Sequence, residues 1–217
     1  LHALVVDHVV LGRVVFPATG YLVVAHAATS QLASSPPTAL KEVFFLKPLV
    51  VGPPGAFIEC AVTNTSFEIC SRADEGVTLH CCGALARAST IWQHVELALL
   101  RGRACAHTAD FACTYDSLHA KGLEYGPGYR TILDAWCSIE ANGVATARLQ
   151  ARATQLWADV HPADLDDARC LDQLLSIDGN TDSRETRLPF AVDEVQLREE
   201  PGELWAVRCA RRCQLIS

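Results

Sequence analysis

Residues 7–22, DHVVLGRVVFPATGYL, contain the first helix boundary of the chain and one histidine in an apolar run. Pro17 suits the first position of a helix, because its ring fixes φ and its missing N–H is not needed there. Apolar residues then recur at the spacing of one helical face: Tyr21, Val24, Ala25, Ala28 and Leu32. The pattern predicts a helix that begins at Pro17 and ends before the SSPP sequence at 34–37, since proline cannot continue it.

Beyond this helix the apolar residues alternate with a period of two, which is typical of strands. Four such segments follow one another, separated by turn residues: ALKEVFFLKPLVV, AFIECAVTN, SFEICSR and VTLHCCGALARA. One long helix followed by sequential strands predicts an antiparallel sheet with the helix packed on it. Residues 89–112 show no clear period, and we interpret them as a connection.

The remainder of the chain repeats this combination of helices and strands. TYDSLHAKG predicts a short helix that ends at Gly122, and Asn142-Gly143 predicts a two-residue hairpin between two strands. A second helix begins at Pro162, and the segments LPFAVDEVQL and LWAVRCARRCQLI predict closing strands. We therefore predict an α+β protein with two similar units, residues 1–105 and 106–217.

The composition excludes several classes of protein. The 217 residues carry a net charge of -7 and no basic stripe, which argues against a nucleic-acid binder. There is no apolar run of about 18 residues and no signal-peptide pattern, so we expect neither a membrane span nor secretion. The chain begins at Leu1 and has no Met, so we expect it to be part of a longer polypeptide.

The 10 cysteines do not form a metal or disulfide pattern. No CxxC pair occurs, and most cysteines lie in apolar stretches, where a free thiol packs as a small hydrophobe. We therefore expect reduced cysteines, no metal site and a cytoplasmic protein.

Three sequence features contain residues suited to acid–base chemistry, and each also has an ordinary structural explanation. A lone histidine such as His8 is commonly a buried core residue, and Asp166 is also a favourable residue at the start of a helix. GLEYGPGY could be a simple turn with aromatic residues packed beneath it.

Taken together, these features resemble the dehydratase domains of fatty acid synthases and type I polyketide synthases. HVVLGRVVFP at 8–17 matches H-x-x-x-G-x-x-x-x-P, and GLEYGPGY at 122–129 matches the Y-G-P segment. HPADLD at 161–166 resembles H-P-x-x-L-D, and LPF at 188–190 resembles the strand entry that follows it. The four motifs occur in the family's order and span most of the chain.

The resemblance implies a double hotdog fold, with two long helices each wrapped by an antiparallel sheet. It also implies a hydro-lyase that converts a 3-hydroxyacyl thioester on acyl carrier protein into a trans-2-enoyl thioester. The family uses no metal or organic cofactor, since the substrate is carried on the carrier's phosphopantetheine arm. The expected partners are acyl carrier protein and the other domains of a parent synthase, through which a homodimer is also expected.

The chemistry assigns roles to the motif residues. His8 suits the base that removes a proton from C2, because imidazole with its ordinary pKa of about 6.5 is mostly neutral near pH 7. Asp166 suits the acid that protonates the leaving hydroxyl, provided that an apolar pocket keeps it protonated. Gly12 is either a turn glycine or a site where backbone N–H groups meet the thioester oxygen. By resemblance, Tyr125 orients Asp166 or the hydroxyl, and Pro17 fixes the helix entry behind His8.

The remaining motif residues receive supporting roles. By resemblance, Gly126 and Pro127 of the Y-G-P segment are supporting or substrate-binding residues, and His161 helps to set the segment that presents Asp166. The other nearby aspartates are assigned to the surface or to loops by default: Asp7, Asp164, Asp167 and Asp172.

The match fails at Cys170, where the family usually has Gln or His to position the catalytic aspartate. Thiol is a poor hydrogen-bonding partner. Gln173 lies seven residues after Asp166, which is roughly 10 Å along a straight helix, so it could reach Asp166 only through water. The family also has strands before the His motif, whereas seven residues precede His8 here.

Two alternatives remain open. Cys170 is compatible with a catalytically degenerate double hotdog that serves as a scaffold or docking domain. A product-template-like cyclase of a polyketide synthase shares the His and Asp pair, although HPADLD and YGPGY favour the dehydratase. A cluster of Arg208, Arg211 and Arg212 is a candidate docking patch for an acidic carrier protein.

Overall fold

The structure is a computed structural model, and the residues it describes are 2–32, 39–52, 57–73, 76–87, 96–103, 107–138, 143–150, 160–175, 186–197, 203–209 and 212–216. The chain divides into two compact units. The first comprises Leu1–Ile91, Gln155–Pro162 and Arg187–Glu199, and the second comprises Trp92–Thr154, Ala163–Thr186 and Glu200–Ser217. Within the described ranges, every helix is too short or too polar to cross a bilayer.

The first unit contains a long helix and a five-stranded antiparallel sheet. Its elements are α1 (His2–Val5), β1 (His8–Val10), β2 (Arg13–Val14), α2 (Ala18–Leu32), β3 (Ala39–Phe45), β4 (Ile58–Val62), β5 (Ser66–Ala73), β6 (Gly76–Ala86) and β11 (Ala191–Val195). The sheet has the order β11-β3-β6-β5-β4. The four strands predicted in the first half are therefore confirmed as β3 to β6.

Helix α2 begins one residue after Pro17 and contacts β3, β4 and β5. Of its predicted inner face, Tyr21 and Ala25 are buried, while Val24 and Ala28 are half-buried. Leu22 and Val23 are buried as well, so the helix is enclosed on more than one face. Gly20 allows this packing, because a Cβ there would lie 2.8 Å from the buried ring of Phe16.

The second unit also places helices on a five-stranded antiparallel sheet. Its elements are α3 (Leu97–Arg103), β7 (His107–Ala109), α4 (Phe111–Ala120), β8 (Leu123–Tyr125), a 3-10 turn (Pro127–Tyr129), β9 (Ile132–Cys137), β10 (Val144–Leu149), α5 (Pro162–Cys170), α6 (Asp172–Leu175), β12 (Trp205–Cys209) and β13 (Arg212–Ile216). The sheet has the order β13-β12-β10-β9-β7.

Small residues bring helix α5 close to this sheet. Ala163 and Ala168 of the helix share a buried cluster with Ala145 and Ala147 of β10 and Ala206 of β12. Alanine side chains at these positions fill the buried core of the unit with little volume. The start of α5 at Pro162 is therefore set by the proline and its position by small core residues.

The structure differs from the sequence predictions in two places. β11, predicted as part of the second unit, pairs with β3 in the first, with Ala191 opposite Phe44. Residues 89–112, interpreted as a connection, contain α3, β7 and the start of α4, whereas the boundary after residue 105 stays a prediction. Asn142 of the predicted two-residue turn lies outside the described residues, and next to that gap the Ser138 N–H of the β9–β10 hairpin bonds to the Val144 carbonyl at 2.9 Å.

Candidate active site

His8 lies on β1 and is 4% exposed. Its Nδ1 is 2.7 Å from the backbone oxygen of Val15, and the Val15 N–H donates back to the His8 oxygen at 3.1 Å. A carbonyl oxygen can only accept, so Nδ1 carries the ring proton and donates it. The neutral ring therefore has its lone pair on Nε2, which is the form that a general base requires.

The hairpin that carries His8 explains Gly12. Val10 pairs with Arg13, so Leu11 and Gly12 form a two-residue turn, with φ of 49° and 72°. Two positive φ values in succession are typical of a type I′ turn, in which glycine is strongly favoured. The turn thus accounts for Gly12, and nothing lies within 4 Å of the position that its Cβ would take. Pro17 is buried directly before α2, as its assigned role at the helix entry requires.

Asp166 lies on α5, is 7% exposed, and is hydrogen-bonded to the hydroxyl of Tyr125. Tyr125 ends β8 and is itself buried. Burial, the negative charge of Asp166 in its ionised form, and hydrogen bonds to Asp166 and Cys170 raise the pKa of Tyr125 far above its ordinary value. The tyrosine therefore stays protonated and can donate to the carboxylate. The structure brings together the predicted pair Tyr125 and Asp166.

Cys170 is buried on the next turn of α5, with its Sγ 3.9 Å from the Tyr125 hydroxyl oxygen. Burial raises the pKa of this thiol well above its usual value, so it remains neutral. Gln173 is exposed, and the helix is interrupted at Leu171 between α5 and α6. Tyr125 is thus the residue that bonds to Asp166, while Gln173 points to the surface.

The loop after Tyr125, residues 125–131, is closed by backbone bonds. The Tyr129 N–H bonds to the Gly126 oxygen at 3.0 Å, and the Arg130 N–H bonds to the Pro127 oxygen at 3.3 Å. The Arg130 Nε donates to the backbone carbonyl oxygen of Tyr125 at 2.7 Å. Gly126 and Pro127 therefore both supply carbonyl oxygens to the bonds that close this loop.

The surface assignment of Asp167 and Asp164 is wrong. Asp167 is fully buried and Asp164 is 4% exposed. Asp167 Oδ2 accepts hydrogen bonds from the Tyr115 hydroxyl at 2.9 Å, from the Thr131 hydroxyl at 2.7 Å, and from the Thr131 N–H. A sequence signal for this burial exists: Ala163, Asp167 and Leu171 repeat every four residues, which places Asp167 on the inner face of α5.

The other predicted residues occupy less central positions. His161 is half-buried directly before α5, and Asp7 is half-buried in the turn before β1. Asp172 is half exposed and forms an ion pair with Arg208. Of the candidate docking patch, Arg208 is thus engaged by Asp172, Arg211 lies outside the described residues, and only the backbone of Arg212 is described.

The described cysteines are all free thiols, and Cys105 lies outside the described ranges. Cys81 and Cys170 are buried, whereas Cys113 is exposed, so the expectation of core thiols holds for only some of them. No group of three or more potential metal ligands occurs within the part of the chain that the structure describes.

Comparison with known proteins gives one consistent result. A family described as "Polyketide synthase dehydratase domain" matches residues 1–72, and another described as "Polyketide synthase dehydratase N-terminal domain" matches residues 100–213. The mycoketide-CoA synthase of Mycobacterium tuberculosis is 31% identical over 88% of this chain. The polyketide synthase GfsB of Streptomyces halstedii is 30% identical over 91% of it. The chain spans 5% and 4% of the lengths of these two relatives.

Solved structures show the same likeness in three dimensions. The dehydratase domain from the CurF module of curacin polyketide synthase superimposes with a TM-score of 0.80 at 22% identity, covering 99% of this chain and 83% of that one. A trans-AT polyketide synthase dehydratase domain from Brevibacillus brevis gives a TM-score of 0.76 at 22% identity, covering 95% and 76%. The predicted double hotdog fold is confirmed by this likeness.

Proposed function

The chain belongs to the family of polyketide synthase dehydratase domains, and we propose that it removes water from a 3-hydroxyacyl thioester to give a trans-2-enoyl thioester. The observation that carries the proposal is the hydrogen bond between His8 Nδ1 and the Val15 oxygen at 2.7 Å. It selects the tautomer whose Nε2 can accept a proton. The base role requires this tautomer, which also occurs at His80, whose Nδ1 lies 2.8 Å from the Lys47 backbone oxygen.

His8 is the base in the proposed reaction. Its Nε2 takes a proton from C2 of the substrate, and the electrons of that C–H bond form the C2–C3 double bond. As this proton leaves, negative charge develops transiently on the thioester oxygen, where backbone N–H groups can stabilise it, before the electrons close the C2–C3 double bond. Gly12 is a candidate for this role, since the space above its backbone is open.

Asp166 is the acid in the proposed reaction. As the C3–O bond breaks, the departing oxygen takes the Asp166 proton and leaves as water, because hydroxide itself is a poor leaving group. The Tyr125 hydroxyl then donates to the resulting carboxylate, which supports the assignment of Tyr125 as an orienting residue. Return of the proton from the imidazolium to the carboxylate by way of solvent completes the cycle.

The substrate and partners of the proposal follow from the relatives. They are large multidomain synthases of which this chain matches one domain. We therefore place the chain beside the other domains of such a synthase, with the acyl chain delivered on the phosphopantetheine arm of acyl carrier protein. The proposed steps use two side chains and the substrate, and require no metal or organic cofactor.

The proposal is tested by turnover of a 3-hydroxyacyl thioester on carrier protein. The absorbance of the conjugated enoyl product measures the rate. His8→Ala and Asp166→Asn are each expected to lower kcat by about 10² to 10⁴-fold. The matched controls are His119→Ala and Asp116→Asn, both on the exposed side of α4, which should retain wild-type turnover. A folded wild-type chain that binds the thioester without turnover would refute the enzyme and favour the degenerate scaffold. Release of a cyclised product would favour the product-template alternative.

A further inference from the structure

Two consecutive carboxyl groups of α5, Asp166 and Asp167, bond to opposite ends of one loop. Consecutive side chains on a helix point about 100° apart, so the two carboxyl groups reach different partners. Tyr125 begins the 125–131 loop and bonds to Asp166, whereas Thr131 ends it and bonds to Asp167. The loop is therefore held to the same helix turn at both ends.

The Asp167 end is the more extensively bonded of the two. One oxygen of its carboxyl group, Oδ2, receives the hydroxyl and the N–H of Thr131 together with the hydroxyl of Tyr115 on α4. A hydrogen-bond donor that is left unpaired in a buried site is costly. Loss of this one oxygen would leave three donors without their acceptor.

The loop between the two ends can transmit such a change. Its internal bonds from Tyr129, Arg130 and the Arg130 side chain leave it little freedom to absorb a shift. Thr131 is also held by the Gln150 N–H, which its backbone oxygen accepts at 2.7 Å, so loss of the Asp167 bonds would leave it held from one side. A displacement of Thr131 would therefore move the Tyr125 hydroxyl at the start of the loop.

We propose that Asp167 is a positioning residue for the acid: it fixes Thr131, and through the 125–131 loop it fixes the Tyr125 hydroxyl that orients Asp166. This inference rests on the proposed function. The sulfur of Cys170 lies 3.9 Å from the hydroxyl oxygen of Tyr125 and is a weak hydrogen-bonding partner. Because Cys170 holds this hydroxyl only weakly, the orientation of Asp166 depends on how the loop holds Tyr125. Asp167 itself transfers no proton to the substrate.

The test compares variants of Asp167 that separate its role as a hydrogen-bond acceptor from its ability to carry a negative charge. Asp167→Asn keeps a carbonyl oxygen that can accept the three bonds, and should retain kcat to within about threefold of wild type. Asp167→Ala removes the acceptor and should lower kcat by about 10- to 100-fold with little change in KM, since misplacement of a catalytic group acts on the chemical step. Thr131→Val removes one of the three donors and should lower kcat by a smaller factor. Asp116→Asn is the control on an exposed aspartate of the same unit.

A second measurement follows the loop without any turnover. Hydrogen exchange at the Tyr129 and Arg130 amides should accelerate in Asp167→Ala and stay near wild type in Asp167→Asn, while the β10 amides remain protected in both. A wild-type chain without turnover would count against the proposed function alone, and the exchange data would then decide the role of Asp167 in holding the loop. Unchanged kcat and unchanged loop exchange in a folded Asp167→Ala or Thr131→Val chain would overturn the inference. Equal losses in Asp167→Asn and Asp167→Ala would also overturn it, because the acceptor would then not be what matters.

Discussion

The buried carboxyl group of Asp167 makes the stability of the protein depend on pH. Burial, followed by the nearby charge of Asp166, raises the pKa of Asp167 from 3.8 to about 7, against the opposing effect of the bonds from Thr131 and Tyr115. In the unfolded chain the same group titrates at its ordinary value. Between these two pKa values the folded protein binds a proton that the unfolded chain has released.

The sign and size of the effect follow from this difference. The pKa of Asp167 is higher in the folded state than in the unfolded chain. Its contribution to the free energy of unfolding is therefore complete below about pH 4 and is lost as the pH rises through about 7. A difference of about three pKa units corresponds to about 4 kcal/mol in total. From about pH 5 to about pH 8 the expected loss is about 2–3 kcal/mol of unfolding free energy.

Asp167→Asn isolates this contribution, because the amide cannot ionise. Chemical unfolding of the wild type and the variant, measured at several pH values from about 5 to about 8, gives the difference in unfolding free energy between them. We expect this difference to shift by about 2–3 kcal/mol in favour of Asn as the pH rises. The exposed-site variant Asp116→Asn should follow the wild type. Parallel curves for the wild type and Asp167→Asn would refute the reasoning.

Three further predictions concern single contacts. Tyr125→Phe removes the hydroxyl that bonds to Asp166 and should lower kcat by about tenfold, as measured by enoyl formation; a wild-type rate would remove Tyr125 from the site. Gly20→Ala should destabilise α2 by about 1–3 kcal/mol, because the new Cβ would lie 2.8 Å from the buried Phe16 ring. Gly102→Ala, also in a helix but with nothing within 4 Å of its Cβ position, should instead stabilise the protein by about 0.5–1 kcal/mol. Thermal unfolding of the two alanine variants measures both effects, and shifts of the same sign would contradict the packing argument.

Local features of the fold were predictable because they depend on neighbouring residues. Pro17 and Pro162 mark the starts of α2 and α5, and alternation identified β3 to β6 within a few residues. The partner of β11 was not predictable, because its pairing with β3 joins residues about 150 positions apart and no local pattern specifies it.

The candidate site shows the same division. Motif order identified His8 and Asp166, and the resemblance assigned Tyr125 as a partner of the acid. The burial of Asp167 contradicted the usual behaviour of aspartate, which is rarely enclosed without partners. Its partners Tyr115 and Thr131 are 52 and 36 residues away along the chain, so the bonds that permit its burial exist only in the folded protein.

The sequence by itself determined the family, the succession of helices and strands, and the identity of the residues suited to acid–base chemistry, because motifs and periodicity are properties of neighbouring residues. The tertiary structure alone decided the tautomer of His8, the hydrogen bond between Tyr125 and Asp166, and the burial of Asp167. Each of these depends on a polar atom being removed from water and given a specific partner. Such pairing is set by the packing of distant segments, which the order of residues does not display.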